Sequence, residues 1–214
     1  ARPAPSARRW PRLGLALGAV AALLLVAGVL RAPLVWAREA RLATVAGAAE
    51  VRPELEGDWR PATAGELLRE GGGLRAVARA SLSLFDGSSV DTEPGAELAL
   101  VTLCSAAWGG ARRIAVEQYR GEALYTVSQR LGLWDSFSVH TPSTLIAVRG
   151  TRFVVAIDST GETTVRVLEG LVAATGVASR VELRAGEAAV ISPGGPVRVR
   201  KAEQPGDRAP GVGT

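Results

Sequence analysis

The chain has 214 residues, of which 47% are hydrophobic and 21% charged, and its mean hydropathy is +0.17. This composition excludes intrinsic disorder over most of the length and supplies enough apolar material for one sizeable folded unit. Four arginines lie within residues 1–12, which contain no acidic residue, and they account for the formal net charge of +4, so the remaining chain is neutral and a nucleic-acid partner is not expected.

The first predicted element is a membrane anchor. From Leu13 to Leu30 eighteen consecutive residues carry no charged or polar side chain. As a helix this run extends about 27 Å, close to the thickness of the bilayer hydrocarbon core. It predicts a transmembrane helix with an interfacial flank over residues 13–37, and Trp10 and Trp36 bracket the apolar run. The alternative is a cleaved signal peptide ending at Ala37, but the apolar run is longer than the usual core of such peptides.

The orientation of the anchor follows from its flanks. Arginines are equally frequent on the two sides, but residues 1–12 form a short basic tail without acidic residues, which is difficult to translocate. We therefore expect this tail in the cytoplasm and the C-terminal part on the periplasmic or extracellular side of the inner membrane.

After the anchor the pattern predicts strands. Short runs rich in Val, Leu and Thr alternate with Gly, Asp and Pro, and two hairpin turns are expected at Asp86-Gly87 and at residues 158–161. The best helical candidate is one turn at residues 62–69. We expect a mostly β domain over residues 42–203, a solenoid-like or irregular β-sandwich, followed by a flexible tail at 204–214.

One motif is more specific than these patterns. Residues 137–142 read FSVHTP, and residues 146–155 read IAVRGTRFVV. Together they resemble the FecR-type domain, as do, in the family's order, Asp86-Gly87 and the sequence LEG that ends at Gly170. The resemblance covers residues 42–192 and implies an all-β, solenoid-like domain held outside the cytoplasm by a single span. In the family's best-known members this domain relays a signal from an outer-membrane receptor to a cytoplasmic sigma factor.

The residues that carry the resemblance are expected to be structural. Gly150 lies between two strand-like runs, where a missing Cβ permits a sharp corner, and the Thr151 hydroxyl is expected to bond the backbone freed there. Arg149 is expected to pair with Glu169 or Asp158. The alternative is an anion-binding nest of backbone N–H groups. The complete signature is Thr141, Pro142, Val148, Arg149, Gly150, Thr151, Phe153, Asp86, Gly87, Glu169 and Gly170.

Catalytic, metal and cofactor sites receive little support. Cys104 and His140 are single residues of their type, which excludes an intramolecular disulfide and a His/Cys metal cluster, and no cofactor is expected. His140 with Asp135 and the nearby serines suggests a hydrolase, but side chains two apart on a strand are placed about 7 Å from each other. Three acidic residues near the first hairpin suggest a calcium site without the spacing of a calcium loop: Asp86, Asp91 and Glu93.

Aromatic residues leave one further alternative. Four of them lie close together in sequence and would form a sugar-binding platform if they shared an exposed face, although core packing of some is favoured: Trp108, Tyr119, Tyr125 and Trp134. The sequence thus predicts a membrane-anchored regulatory sensor or scaffold that contacts another envelope or membrane protein and is not an enzyme. The alternatives are a module that binds glycan or peptidoglycan and, behind it, a hydrolytic enzyme.

Overall fold

The computed structural model describes residues 35–54, 57–106, 110–129, 132, 134–177 and 179–201, all within the compact unit Val35–Thr214. The described residues form strands and no helix, so the expectation of a mostly β fold is confirmed. Among them, no helix is long and apolar enough to cross a bilayer. The predicted span at Leu13–Leu30 and the tails at 1–12 and 204–214 lie outside the described residues.

Eighteen strands follow one another along the described chain. They are β1 (Val35–Ala37), β2 (Ala40–Ala46), β3 (Ala49–Arg52), β4 (Arg60–Pro61), β5 (Leu67–Leu68), β6 (Gly73–Ala76), β7 (Arg79–Ser83), β8 (Ser89–Thr92), β9 (Glu97–Ala106), β10 (Arg112–Thr126), β11 (Ser136–His140), β12 (Leu145–Val148), β13 (Arg152–Ile157), β14 (Thr163–Glu169), β15 (Leu171–Thr175), β16 (Arg180–Arg184), β17 (Glu187–Ile191) and β18 (Val197–Lys201).

The strands form two sheets that share β10. Sheet I has the order β4-β3-β6-β9-β10-β11-β12-β15-β16, and β1 pairs with the last three residues of β9. Sheet II has the order β5-β2-β7-β8-β10-β13-β14-β17-β18. The chain passes repeatedly from one sheet to the other, so the fold is an irregular stack of strands and corners.

Strand β10 makes the central crossing. Its first half pairs with β9 and β11 in sheet I, and its second half pairs with β8 and β13 in sheet II. The bend lies at Gly121, whose φ is +79°, directly after an irregular register at Gln118. A Cβ at Gly121 would lie 2.4 Å from the Cα of Ala96, so only glycine fits this corner without a shift. The next strand, β11, runs parallel to β10 because the chain completes a full coil between them.

The core lies between the two sheets. Alternate residues point inward, as in β11, where Phe137 and Val139 are buried and their neighbours face outward. Phe137 from sheet I meets Tyr125 from sheet II edge-to-face at 6.4 Å, and Tyr125 stacks on Phe153 at 5.1 Å. These three rings join the sheets at the centre of one apolar cluster.

Two expectations differ from the fold. The helical turn predicted at residues 62–69 is wrong: Gly65 adopts a φ of +86°, and Leu67–Leu68 form a short strand with Leu68 buried. The strands also begin at Val35, seven residues before the expected domain start at Leu42, because β9 is long enough to pair with β1. The two expected hairpins are present, at Asp86-Gly87 between β7 and β8 and at residues 158–161 between β13 and β14.

Candidate functional site

The signature residues Arg149, Gly150 and Thr151 form the crossing from β12 in sheet I to β13 in sheet II. Gly150 has a φ of +63°, and a Cβ on it would lie 3.1 Å from the Cα of Gln129 in an adjacent crossing. The Thr151 carbonyl accepts a 2.8 Å hydrogen bond from the N–H of Val127. The motif therefore packs directly against the crossing that follows β10.

A second glycine closes the other side of this crossing. Gly170, between β14 and β15, has a φ of +86°. A Cβ on it would lie 2.8 Å from the Thr151 methyl carbon and 2.9 Å from the Gly150 carbonyl oxygen. Successive crossings thus stack in backbone contact, which explains why the motif requires glycine at both positions.

The Asp86 hairpin caps the same stack. The Asp86 carboxylate accepts hydrogen bonds from the N–H and the hydroxyl of Ser88, at 3.0 and 2.7 Å, and the Ser88 hydroxyl oxygen accepts a 3.0 Å bond from the N–H of Ser128. Gly87 supplies the left-handed turn residue, with a φ of +86°. We call the stack that joins the Asp86-Gly87 hairpin, residues 127–129, residues 149–151 and Gly170 the signature column.

One predicted contact within the signature differs from the structure. The Thr151 hydroxyl was expected to bond the backbone, but Oγ1 is buried without a hydrogen-bond partner while the methyl group packs on Gly170. The close approach of Gly170 fixes this rotamer and turns the hydroxyl away from the backbone. The pairing of Arg149 with Glu169 or Asp158 stays a prediction. Glu169 lies 3.8 Å from Arg152. The Asp158 carboxylate accepts three bonds within its own turn, from the N–H and hydroxyl of Thr160 and the N–H of Glu162, and these lower its pKa.

Thr141 and Pro142 lie at the other end of β12, away from the signature column. The Thr141 hydroxyl oxygen accepts a 3.1 Å bond from the N–H of Thr144 and lies 2.9 Å from the hydroxyl of Thr163, which in turn accepts from Ser143 at 2.7 Å. These buried hydroxyls fasten the β11–β12 turn to the start of β14. The remaining signature residues, Val148 and Phe153, are buried in the core.

A buried polar pair that the sequence pattern does not predict lies beside this core. The Tyr125 hydroxyl donates to Gln118 Oε1 at 2.9 Å, and Gln118 Nε2 donates to the carbonyls of Gly121 and Val155 at 2.9 and 3.2 Å. Both side chains are fully buried, and burial strongly raises the pKa of Tyr125. Gln118 thereby holds the bend of β10 from inside. The only sequence signal was a glutamine at an inward position of an alternating strand.

The candidate hydrolytic residues divide into two separate groups. Ser138 Oγ lies 3.3 Å from His140 Nε2, closer than the predicted 7 Å, because the imidazole leans along β11. His140 is exposed on the outer face of sheet I. Asp135 is engaged elsewhere, since its carboxylate accepts from the backbone N–H and the guanidinium of Arg112 at 2.6 and 2.9 Å and from Gly132 N–H. Burial opposes ionisation of Asp135, but these hydrogen bonds prevail and lower its pKa.

Each of the three carboxylates near the first hairpin binds a different partner within the protein. Asp86 is buried in its own turn, Asp91 accepts from the Ser81 hydroxyl at 2.5 Å, and Glu93 pairs with Arg79 at 2.8 Å. Within the described part of the chain, no three His, Cys, Asp or Glu side chains converge as a metal site. The suggested calcium site is therefore not assembled there.

Core packing, which the sequence favours over an exposed aromatic platform, is confirmed for Tyr125. Tyr125 is 0% exposed in the core, whereas Trp134 is 83% exposed. Trp108 lies outside the described residues. The alternation of β10 places Tyr125 on the inward face of the bend, which removes it from any surface platform.

A cluster of one tryptophan and two arginines lies on sheet I. The guanidinium carbons of Arg75 and Arg52 lie 4.3 and 5.0 Å from the ring centroid of Trp59. Arg75 also pairs with Glu97, which accepts from Arg120 at 2.7 Å. Burial opposes ionisation of Glu97, but the two arginines prevail and hold its pKa below the ordinary value. This cluster fastens the segment before β4 onto the sheet.

One family model matches the part of the chain that contains the signature column. Residues 75–173 match the model of the family described as FecR protein. The resemblance to the FecR family is confirmed. The FecR match runs from within β6 to within β15 and contains every signature residue and the whole signature column.

Two solved crystal structures of a candidate anti-sigma factor from Parabacteroides distasonis also match. Each is 21% identical to this chain, with a TM-score of 0.47, and the alignment covers 57% of this chain and 55% of that one. This chain thus corresponds to about half the length of those structures. No curated protein matches the chain.

Proposed function

We propose that this chain is a membrane-anchored, extracytoplasmic FecR-like domain that regulates by protein–protein contact. The observation that carries the proposal is the FecR match over residues 75–173, which contains the complete signature column. The match supports a regulatory role, and the membrane anchor and the contact mechanism are the parts we add to it.

The architecture supports a role as a rigid contact body. The crossings of the signature column approach one another closely at Gly150 and Gly170, where an added Cβ would meet neighbouring atoms at 3.1 and 2.8 Å. The buried Gln118–Tyr125 pair and the central rings fix the two sheets against each other. Because the domain is rigid, binding of a partner at its surface would move the whole domain as one unit.

The anchor rests on the sequence. The run Leu13–Leu30 is long enough to cross a bilayer as a helix and carries no charge. We place the N-terminus in the cytoplasm because the basic tail lacks acidic residues.

The experiment deletes the gene from its source cell and measures all transcripts. The full chain is then returned as the wild type, as Leu23→Arg with Leu24→Arg, and as the matched control Leu23→Ala with Leu24→Ala. Each arginine at the centre of the span costs about 2.5–3.5 kcal/mol of insertion, so the arginine variant should leave the membrane fraction.

We expect deletion to change a discrete set of transcripts, which the wild type and the alanine control restore and the arginine variant does not. An unchanged transcript profile after deletion would refute regulation. Full restoration by arginine-variant protein recovered from the soluble fraction would refute the need for the anchor.

A further inference from the structure

The last strand of sheet II presents an open edge. β18 pairs antiparallel with β17 from Val197 opposite Ile191 to Lys201 opposite Glu187, without a register shift. Among the described residues no strand pairs with its other side. An unpaired edge of this kind is a template for one more strand.

The opposite end of the stack is closed to such pairing. Its edge strands, β4 and β5, are two residues long, and β4 contains Pro61, which has no N–H to donate. β18 has five residues and neither a proline nor a bulge. The two ends of the fold therefore differ in their capacity to add a strand.

The direction of the free backbone groups follows from one hydrogen bond. The Val197 N–H donates to the Ser179 hydroxyl at 3.1 Å, away from β17. In an antiparallel ladder alternate residues direct both backbone groups to the same side. Val199 and Lys201 consequently present their N–H and carbonyl groups at the open edge, whereas Arg198 and Arg200 bond to β17.

The charge on this edge selects the partner. Arg198, Arg200 and Lys201 are exposed, and the strand contains no acidic residue. The carboxylate opposite Lys201 belongs to Glu187, which accepts a 2.7 Å bond from the N–H of Arg184. Val199, 47% exposed, adds an apolar contact at the middle of the edge. Charge complementarity thus favours an extended segment in which acidic and apolar residues alternate.

We propose that β18 is the docking edge for an acidic, extended polypeptide segment of a partner protein, which adds to sheet II as its next strand. This inference rests on the proposed regulatory function and supplies its contact surface. Main-chain hydrogen bonds to Val199 and Lys201 provide the affinity, and the cationic side chains attract acidic segments and repel basic ones.

The test uses the full chain in neutral detergent micelles and a fluorescent nine-residue peptide in which glutamate alternates with valine. Binding is measured by fluorescence polarisation at low and high salt. Val199→Pro removes the outward N–H and should leave the ladder to β17 intact, because proline is tolerated where an edge N–H faces solvent. We expect about tenfold weaker binding, the loss of about one hydrogen bond.

A charge variant and its control complete the design. Arg198→Gln with Arg200→Gln should weaken binding several-fold and reduce its salt dependence, whereas Arg41→Gln with Arg113→Gln, two exposed arginines on other strands, should not. If Val199→Pro shifts the thermal midpoint, hydrogen exchange of the wild-type backbone amides is measured with and without the peptide. The peptide should slow exchange of the N–H groups of Val199 and Lys201.

Two results would overturn the proposal. The first is equal binding of the acidic peptide and a lysine-for-glutamate peptide. The second is absence of binding, which would show that the cations protect the edge from pairing. Neither result touches the transcript experiment, so failure of this inference and failure of the regulatory function are distinguishable.

Discussion

The bend of β10 depends on Gly121. The loss of unfolding free energy in Gly121→Ala measures how much this glycine stabilises the fold. Two penalties combine at this position: a φ of +79°, which costs an L-residue about 1–2 kcal/mol, and a Cβ placed 2.4 Å from Ala96 Cα and 2.6 Å from its nitrogen. Backbone atoms cannot move aside as a side chain would, so an overpacking cost of about 1–3 kcal/mol is added. Alanine also reduces the conformational entropy of the unfolded chain, which stabilises the folded state by about 0.4–1 kcal/mol. Together these ranges lower the free energy of unfolding by about 1–4.6 kcal/mol, with a central value of about 3 kcal/mol.

The matched control is Gly186→Ala. Gly186 has nearly the same φ, +84°, but no atom lies within 4 Å of its added Cβ. Gly186→Ala should lower the free energy of unfolding by only about 0.5–1 kcal/mol, because it carries the cost of the positive φ without any steric clash. Both full-length variants are melted in neutral detergent and followed by far-ultraviolet circular dichroism of the sheets. The midpoint of Gly121→Ala should fall about 5–12 °C below the wild type. Equal midpoints for the two variants would contradict the close approach of the Gly121 corner to Ala96.

Three further substitutions probe the interior, each measured by denaturant unfolding. Tyr125→Phe should cost about 1–3 kcal/mol, because Gln118 Oε1 is left buried without its donor; an unchanged midpoint would mean that this bond adds nothing. Thr151→Val should be neutral or stabilise by up to about 1 kcal/mol, since Oγ1 is buried without a partner, and a loss above about 1 kcal/mol would reveal a bond to that hydroxyl. Asp135 has a lowered pKa in the folded state, so its contribution is present above its ordinary value of 3.8 and is lost as pH falls through the lower folded value. Asp135→Asn should therefore flatten the acid limb of the stability–pH curve, and an unaltered limb would show that the contact with Arg112 does not favour the charged form.

The strand pattern could be predicted because it is local. Alternation along β11 follows from the two-residue period of a strand, and the hairpin at Asp86-Gly87 follows from the preference of that pair for a positive φ. The helical turn expected at residues 62–69 failed because burial of Leu68 against the sheet outweighed the local pattern.

The tertiary contacts of the site could be predicted only in part. Gly150 was expected at a corner, but its packing against Gln129 and Gly170 depends on which crossings are stacked, and spacing along the chain does not encode that order. The same limit explains the partners of Asp135 and Glu169, which are set by strand register. Gln118 was missed since a lone polar residue on an inward face carries no signature until its partner is known.

The sharing of β10 also sets how the domain resists a mechanical pull. Among the described residues β18 pairs with a strand along one edge only, so tension on Lys201 peels its ladder to β17 one pair at a time. β10 has neighbours on both flanks in both sheets, and extracting it requires many bonds to break together. Tension applied at Lys201 therefore detaches the outer strands one after another while β10 stays in place. Unfolding under force then proceeds in several small steps and not in one cooperative event.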